Sequence, residues 1–279
     1  MNSDPTAVDL NVDAALVLQS IVGIDSYPSV LALMPNIDNE EDRQRVHEVV
    51  LGELAVAGIV EDKRVHPAVA GWLRCLERPD AELAVRVSEL SQVGGLRAML
   101  RLSLVRAGRT HVLAARCDDH LVVQSIDIAE GQLNPLTTAL LAALGGRDGL
   151  TFEPLTATLP EFEKVPADPG QREAALRDLG AGRATASVLT RAMDSIIRRA
   201  EIVLLEHHDG VTPEPNLCVS VLDTPDGRIV VTPRVAADGE TWSTYAPGDE
   251  ATLRASLAAL IELLPSGSWF DSTRTPSTL

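Results

Sequence analysis

Histidine and acidic side chains are the residues of this chain with the most capacity for chemistry, and they are densest at Glu206-His207-His208-Asp209. Imidazole and carboxylate groups bind metal ions and transfer protons. The cluster ends a predicted strand, and neighbouring strand residues point to opposite faces, so the two histidines cannot readily share one metal ion. We therefore interpret the cluster as the exposed end of a strand and predict no metal site there.

Two other patterns are weaker candidates for chemistry. His111 and His120 flank a predicted short hairpin and could approach each other, but no third metal ligand is evident. The glycine-rich residues 145–149 resemble a phosphate-binding loop in composition. They follow a predicted helix instead of opening one, so they lack the helix dipole that favours phosphate, and we interpret them as a helix C-cap.

Known catalytic motifs are absent from the sequence. It contains no G-x-S-x-G nucleophile motif, no G-x-x-x-x-G-K-[ST] phosphate loop and no H-E-x-x-H zinc helix. We therefore predict no catalytic residue, no metal ligand and no cofactor. Composition and motifs together indicate a binding scaffold instead of an enzyme.

A repeat organises the elements that would position any site. The tripeptide Ala-Glu-Leu at Ala81 returns as Ala-Glu-Ile at Ala200, and the Gly-Arg pair at Gly108 returns at Gly227 with the same separation. A unit that occurs twice, with this large separation between its two copies, predicts a pseudo-twofold domain. The predicted sheet units are residues 81–126 and 200–246, joined into one sheet.

Alternation of apolar and polar residues predicts that the sheet is antiparallel with one buried face. Leu83, Val85 and Val87 share one face of the first strand, while Glu82 and Arg86 share the other. The predicted fold class is therefore α/β, of the α+β type, with a central antiparallel sheet.

Capping signals predict the helix boundaries. Asp38 is predicted to head a helix with Glu41 as its capping-box partner, and Asn134 is predicted to cap another. In the second half of the chain, helices are predicted near residues 171–179 and 185–198. Residues 26–34 are predicted to be extended.

Charge and cysteine content exclude several functional classes. The formal net charge is −16 over 279 residues, and such a surface repels phosphate backbones and anionic lipid, so we expect no nucleic-acid binding. Cys75, Cys117 and Cys218 lie far apart, and we expect them to be buried free thiols. The sequence shows no signal peptide and no apolar run of about 20 residues, so we expect no membrane insertion and a cytoplasmic protein.

Five stretches resemble a known family in their order and spacing. They are AVDLNVD at residues 7–13, SYP and VLA within residues 26–32, HPAVAGW at residues 66–72, WSTYAPG at residues 242–248 and LLPSGSWF at residues 263–270. In these stretches, and over nearly the whole chain, the sequence resembles the EspG family, the cytosolic chaperones of mycobacterial and related actinobacterial type VII (ESX) secretion.

The resemblance implies an architecture and a function. The implied fold is one quasi-twofold domain over residues 1–270, with two helical bundles flanking the central sheet. Its pseudo-repeats would lie at about residues 60–146 and 171–265, joined by a connector at 147–170 whose prolines interrupt any regular element, and residues 271–279 are predicted to be a disordered tail. The implied partner is a PE–PPE heterodimer, gripped at the helical tip of its PPE subunit and kept soluble for secretion. A weak homodimer of the free protein is left open.

The predicted partner-binding residues are Leu90, Ser91, Gln92, Val93 and Gly94, in the loop after the first strand of the first sheet unit. The resemblance implies this role by position. The residue types suit it, because Leu90 and Val93 offer apolar contact, Gln92 offers donors and an acceptor, and glycine offers backbone freedom. The alternative is an ordinary solvated hairpin loop.

A second function from a different class is also compatible with the sequence. A small-molecule-binding or hydrolytic α/β protein would use a crevice between the two halves, with His207 or His111 in it. Binding of a PE–PPE heterodimer would favour the chaperone, and stabilisation by a small ligand would favour this alternative.

Overall fold

Ten antiparallel strands form the main sheet in this computed structural model, which describes residues 5–35, 37–91, 95–213, 215 and 217–274. In chain order the strands are β1 (Ala7–Asn11), β2 (Val60–Glu61), β3 (Arg64–Val65), β4 (Ala81–Leu90), β5 (Leu96–Ala107), β6 (Thr110–Cys117), β7 (His120–Ile126), β8 (Leu155–Thr158), β9 (Arg198–Glu206), β10 (Val219–Thr224), β11 (Gly227–Val235) and β12 (Thr241–Pro247). β2 and β3 form a separate hairpin, and the other strands are ordered β1-β7-β6-β5-β4-β9-β10-β11-β12-β8.

The two halves of the sheet meet at its centre. β4 pairs with β9 in antiparallel register, from Ala81 opposite Glu206 to Glu89 opposite Arg198. The chain then runs outward as β5-β6-β7 on one side and as β10-β11-β12 on the other. The prediction that the two units join into one sheet is confirmed.

Eight helices and a short 3-10 helix at Ser29–Leu31 pack on the sheet in the described part of the chain. The α-helices are α1 (Val12–Val22), α2 (Glu40–Val56), α3 (Pro67–Glu77), α4 (Asn134–Leu144), α5 (Leu159–Glu163), α6 (Pro169–Asp178), α7 (Arg183–Asp194) and α8 (Glu250–Glu262). α4 and α8 cover the centre of one face, which we call the back face, where they bury Leu83, Val85 and Val87.

On the opposite face, the front face, the helices lie at the two ends of the sheet. α1, α2 and α3 cover the N-terminal half, where Val105 and Val112 are buried. α6 and α7 cover the C-terminal half, where Leu222 and Ile229 are buried. The predicted α/β class with a central antiparallel sheet and two helical bundles is confirmed, and the centre of the front face lies between the bundles.

The repeated glycine meets a different requirement in each half. Gly108 has a φ of 57°, in the left-handed region that a tight turn uses, with open space where a side chain would lie. Gly227 has a φ of 149°, and a Cβ atom there would lie 2.8 Å from the backbone of Leu150. Position 227 therefore requires glycine, because the segment that connects the two halves passes directly over it and leaves no room for a side chain.

That connecting segment differs from its prediction. Residues 147–170 contain strand β8, which pairs with β12 at the edge of the sheet, and helix α5. Pro154 precedes the strand, and Pro160 lies in the first turn of α5, where a missing N–H costs nothing. The prediction that the prolines interrupt any regular element was wrong because they lie at element ends.

Several predicted boundaries also need correction. α2 is capped by Asn39, whose Oδ1 accepts from the Glu41 amide at 2.9 Å, and not by Asp38. α4 begins at Asn134, and Leu133 occupies its N-cap position. Helix α7 ends at Asp194, because the residues from Arg198 onward belong to strand β9. Residues 26–34, predicted to be extended, contain the 3-10 helix.

The buried arginine Arg228 joins the second sheet unit to the end of helix α4. Its guanidinium donates to Asp223 Oδ1 at 2.6 Å and to the carbonyls of Leu144 and Gly145 at 2.9 and 3.1 Å. Arg228 is 1% exposed and Asp223 is 3% exposed. Since these carbonyls end α4, one cation neutralises a buried carboxylate and caps a helix C-terminus.

Arg106 has a comparable role toward the C-terminal segment. Its Nε donates to the Trp269 carbonyl at 2.7 Å, and its Nη1 lies 3.2 Å from Asp80. Trp269 is fully buried and Ser272 is 3% exposed. The prediction of a disordered tail is therefore wrong for residues 271–274, because Arg106 binds this segment to the sheet; residues 275–279 lie outside the described residues.

Replacing Arg228 should destabilise the protein strongly. Arg228→Met leaves the buried Asp223 carboxylate with only the more distant Arg198, whose Nη1 lies 3.9 Å away, and breaking a buried pair costs about 3–5 kcal/mol. The matched control is Arg254→Met, which removes an exposed pair with Glu250 worth about 0.3–0.5 kcal/mol. Urea unfolding followed by circular dichroism measures both, and equal stability of the two variants would contradict the assigned role of Arg228.

Candidate partner-binding groove

The centre of the front face holds a cavity of about 670 Å³ between the two helical bundles. Its floor is made by strand residues that alternate with the buried back-face residues, namely Glu82, Ala84 and Arg86 of β4, Arg101 of β5, and Glu201, Val203 and Leu205 of β9, together with His207 just after β9. Its walls include residues 26–30 on one side and Pro213, Pro215 and Leu217 on the other. The cavity therefore lies on the central β4–β9 pair.

A second cavity of about 360 Å³ extends the first toward the C-terminal bundle. The two share Glu201, Leu217 and Cys218 as lining residues. The far end is lined by Phe162 and Tyr245, whose ring centroids are 4.6 Å apart. We call the two connected cavities the front-face groove.

Three charged residues of the groove floor lie in one row across the strands. Glu201 is opposite Arg86, and Arg86 is opposite Arg101. The guanidinium of Arg86 binds the Glu201 carboxylate at 2.6 Å. Arg101 donates to the carbonyl of Val30, at 3.2 Å, and so contacts the wall formed by residues 26–30.

A buried carboxylate lies at one end of the groove. Glu82 is 3% exposed and accepts a hydrogen bond from Ser103 Oγ at 2.7 Å, and its other oxygen lies 3.2 Å from His207 Nε2. Ser103 is fully buried and donates to the carboxylate, not to the imidazole. The three residues are therefore not ordered as a nucleophile and its base, which does not favour the hydrolytic alternative.

The other histidines do not form a site. His111 pairs with Ile126 and His120 with Cys117, at opposite ends of the β6–β7 hairpin, so the expectation that they approach each other was wrong. His207 was expected to be exposed, but its side chain is only 16% exposed because it packs against Glu82. Among the described residues, no group of three or more His, Cys, Asp or Glu side chains could hold a metal ion.

The predicted partner-binding residues lie at the end of β4 and beyond it. Leu90 is the last residue of β4, is half-buried, and donates its amide to the Ile197 carbonyl at 2.9 Å. Ser91 is half-buried, and its amide donates to the Gly95 carbonyl at 2.7 Å. Neither residue lines the front-face groove, whose nearest β4 residue is Arg86. Gln92, Val93 and Gly94 lie outside the described residues.

Sequence reasoning did not find the walls of the groove. It assigned Glu82 and Arg86 to one sheet face but could not tell which part of that face the helices leave open. A signal was present in Tyr27-Pro28 and in the prolines at 213 and 215, which line the groove and interrupt regular structure. The hydroxyl of Tyr27 donates to the Ala15 carbonyl at 2.7 Å, and its burial raises the pKa of the phenol.

The three cysteines differ in accessibility. Cys75 is buried, and its burial raises the pKa of the thiol to about 12. Cys117 is exposed, and Cys218 is partly exposed where it lines the groove. The expectation of three buried thiols was therefore right only for Cys75, because Cys117 is the exposed last residue of β6 and Cys218, just before β10, lines the open groove.

The front-face groove lies open between the two helical bundles and is wide enough to receive part of another protein. The EspG family model matches residues 11–259, and the chain belongs to the EspG family. No helix in the described part of the chain combines the length and the apolar character that a membrane span requires.

Individual relatives agree with this assignment. The chain is 33% identical over 270 residues to the ESX-1 secretion-associated protein EspG1 of Mycobacterium marinum, covering 96% of this chain and 92% of that protein. It is also 33% identical over 272 residues to the ESX-3 secretion-associated protein EspG3 of Mycolicibacterium smegmatis, covering 95% and 90%. The fold is similar to that of the Mycobacterium tuberculosis type VII secretion system chaperone EspG5, solved in complex with a PE25–PPE41 dimer. That match has a TM-score of 0.79 and 18% identity, over 96% of this chain and all of that one.

The environment of His111 predicts a pH-dependent stability. Trp269 Nε1 lies 3.3 Å from His111 Nε2, so it donates to an unprotonated ring nitrogen. Burial and, next, the nearby positive charge of Arg106 lower the pKa of His111 below its ordinary value of 6.5. Below about pH 6.5 the unfolded chain binds a proton that the folded chain does not yet bind, so the free energy of unfolding should fall as the pH drops.

Urea unfolding between pH 7.5 and pH 5.5 measures this effect. The wild type should lose stability more steeply with falling pH than His111→Gln, which cannot titrate. His120→Gln, at a side chain that is 82% exposed, should follow the wild type. Parallel curves for the wild type and His111→Gln would contradict the assignment.

Proposed function

We propose that this protein is a cytoplasmic chaperone of type VII secretion that binds a PE–PPE heterodimer at the helical tip of the PPE subunit and keeps it soluble. Residues 1–270 act as one unit of two pseudo-repeats, about 60–146 and 171–265, and no catalytic step is required. The observation that carries the proposal is the front-face groove, open between two bundles on a fold similar to a chaperone solved with a PE–PPE dimer.

The groove has the chemistry that a helical tip needs. Val203, Leu205 and Leu217 provide apolar surface, and the charged floor provides hydrogen-bond donors and acceptors. An amphipathic helix binds in such a groove by burying its apolar side. A stable interface of this kind buries about 1,200–2,000 Å² in total, so contacts beyond the groove itself are needed.

The loop after β4 supplies such contacts in this proposal. Leu90 and Ser91 lie at the end of β4, four and five residues beyond Arg86 of the groove floor, or roughly 13–17 Å at strand spacing. In this proposal the partner also contacts Gln92, Val93 and Gly94, which follow them in the sequence. The partner tip would then touch both the floor and the loop.

Disrupting the loop should abolish binding without unfolding the protein. In the double variant Leu90→Asp with Val93→Asp, charge replaces apolar contact, and co-purification with a co-expressed PE–PPE heterodimer should be lost. The control carries Val49→Asp and Val56→Asp, at side chains 62% and 93% exposed on α2, and should retain binding. Retained binding by the folded loop variant would remove the loop from the interface.

Thiol labelling tests whether the partner occupies the groove. In the free protein, iodoacetamide should modify Cys117 and Cys218 while Cys75 stays protected, because its thiol is buried and remains protonated. A bound PE–PPE heterodimer should slow labelling of Cys218, which lines the groove, and leave Cys117 reactive as an internal control. Unchanged labelling of Cys218 in the complex, measured by mass spectrometry, would place the partner elsewhere.

A further inference from the structure

Three arginines stand side by side on the front face of the first sheet unit. Arg86 of β4 is directly opposite Arg101 of β5, and Arg101 is directly opposite Arg116 of β6. Side chains opposite each other in an antiparallel pair point to the same face, about 4.5–5.5 Å apart at Cβ, and like charges at such positions repel. The row is therefore electrostatically unfavourable unless each cation has a partner.

Two of the three arginines have a partner that offsets their charge. Arg86 is paired with the Glu201 carboxylate at 2.6 Å. Arg116 donates to the Leu31 carbonyl at 2.8 Å and to the carbonyl of Ala32, where the 3-10 helix ends. Carbonyls at a helix end carry partial negative charge, so this contact stabilises the Arg116 guanidinium.

Arg101 lacks a comparable partner. It donates one hydrogen bond, to the Val30 carbonyl, and no carboxylate lies within ion-pair distance among the described residues. Burial and, next, the positive charges of Arg116 and Arg86 lower the pKa of its guanidinium. In a chain of net charge −16, the groove floor thus carries a cation that has no ion-pair partner in the part of the chain that the structure describes.

The carboxylates that line the groove in the described part of the chain already have other partners. Glu82 accepts from Ser103 and contacts His207. Glu77 Oε1 accepts from the amide of Asp25 at 2.6 Å, and Glu201 binds Arg86. Within the described ranges, no carboxylate of the groove is left to pair with Arg101, and a protein partner can supply that charge.

We infer that Arg101 binds an aspartate or glutamate side chain of the protein partner seated in the front-face groove, with Arg86 beside it. The inference rests on the proposed function and adds the chemistry of the partner's contact. A carboxylate accepts two parallel hydrogen bonds from a guanidinium, and it also removes the repulsion within the arginine row. The acidic surface of the chain repels polyanions such as nucleic acid, so the carboxylate belongs to a protein.

The inference is tested by measuring the affinity of the protein for a purified PE–PPE heterodimer. Isothermal titration calorimetry gives this affinity at a series of NaCl concentrations. Arg101→Gln should weaken binding about tenfold or more and flatten its salt dependence, because a charge-assisted contact is lost. Arg101→Lys keeps the positive charge but cannot form a bidentate pair with a carboxylate. It should retain the salt dependence of binding and lose less affinity than Arg101→Gln. The control Arg254→Gln, on α8 behind the sheet, should bind like the wild type. Thermal unfolding verifies that each variant is folded.

A second variant should change affinity in the opposite direction. Glu201→Gln frees Arg86 and makes the groove floor more positive, so binding should strengthen and its salt dependence should steepen. Glu250→Gln, on the back-face helix α8, makes the same change in net charge and should have no effect. If the substitutions only disrupted the groove, both Arg101→Gln and Glu201→Gln would weaken binding. Weaker binding by the first and stronger binding by the second is therefore specific to this inference.

Three outcomes would overturn it. Wild-type affinity in Arg101→Gln would remove the arginine contact and leave the proposed function standing. If inorganic phosphate stabilises the wild type but not Arg101→Gln while heterodimer binding is unchanged, Arg101 binds a free anion instead. If the wild type binds no PE–PPE heterodimer, the proposed function fails, and the inference fails with it.

Discussion

The antiparallel pairing of β4 with β9 is the interaction on which the rest of the structure depends. It joins two four-stranded units into one sheet, from Ala81 opposite Glu206 to Glu89 opposite Arg198. Neither strand is left as an edge, so the backbone groups at the middle of the molecule are satisfied within the sheet. The pairing also places the two helical bundles at the outer ends of the front face, and this separation creates the groove.

Because the bundles lie at the outer ends of the front face, the two faces of the central strands have different surroundings. On the back face, α4 and α8 bury the apolar side chains of both strands, including Leu83 and Ile202. The front side chains of the same strands, such as Arg86 and Glu201, line an open cavity. A rigid, well-buried back supports an open front, which is suited to holding a partner without rearranging the core.

Buried arginines connect this frame to the segments that cross it. Arg228 binds Asp223 and the end of α4, and Arg106 binds Asp80 and the C-terminal segment at Trp269. Each brings a positive charge into the interior of an acidic protein, where an unpaired charge is costly, and each is matched by a carboxylate and by carbonyl groups. Arg101 differs from both because it faces the groove and donates a single hydrogen bond within the described ranges.

Local sequence determined the elements and the family. Alternation in residues such as Leu83 and Val85 specified the strands, the repeated landmarks at Ala81 and Ala200 specified the two units, and the ordered stretches specified the EspG family. Helix caps were predicted to within a residue or two, as for Asn39 in place of Asp38, because neighbouring polar side chains compete for one capping position.

Tertiary structure alone decided the site. Whether Glu82, Arg86 and Arg101 face solvent, a helix or a cavity depends on how far each bundle extends across the sheet, and this is a sum of contacts between residues distant in sequence. The same is true of His207 against Glu82, of His111 against Trp269, and of β8 within a proline-rich segment. The arginine row exists only through the register that places Arg86, Arg101 and Arg116 side by side, because a strand's own sequence does not specify which residues lie opposite it.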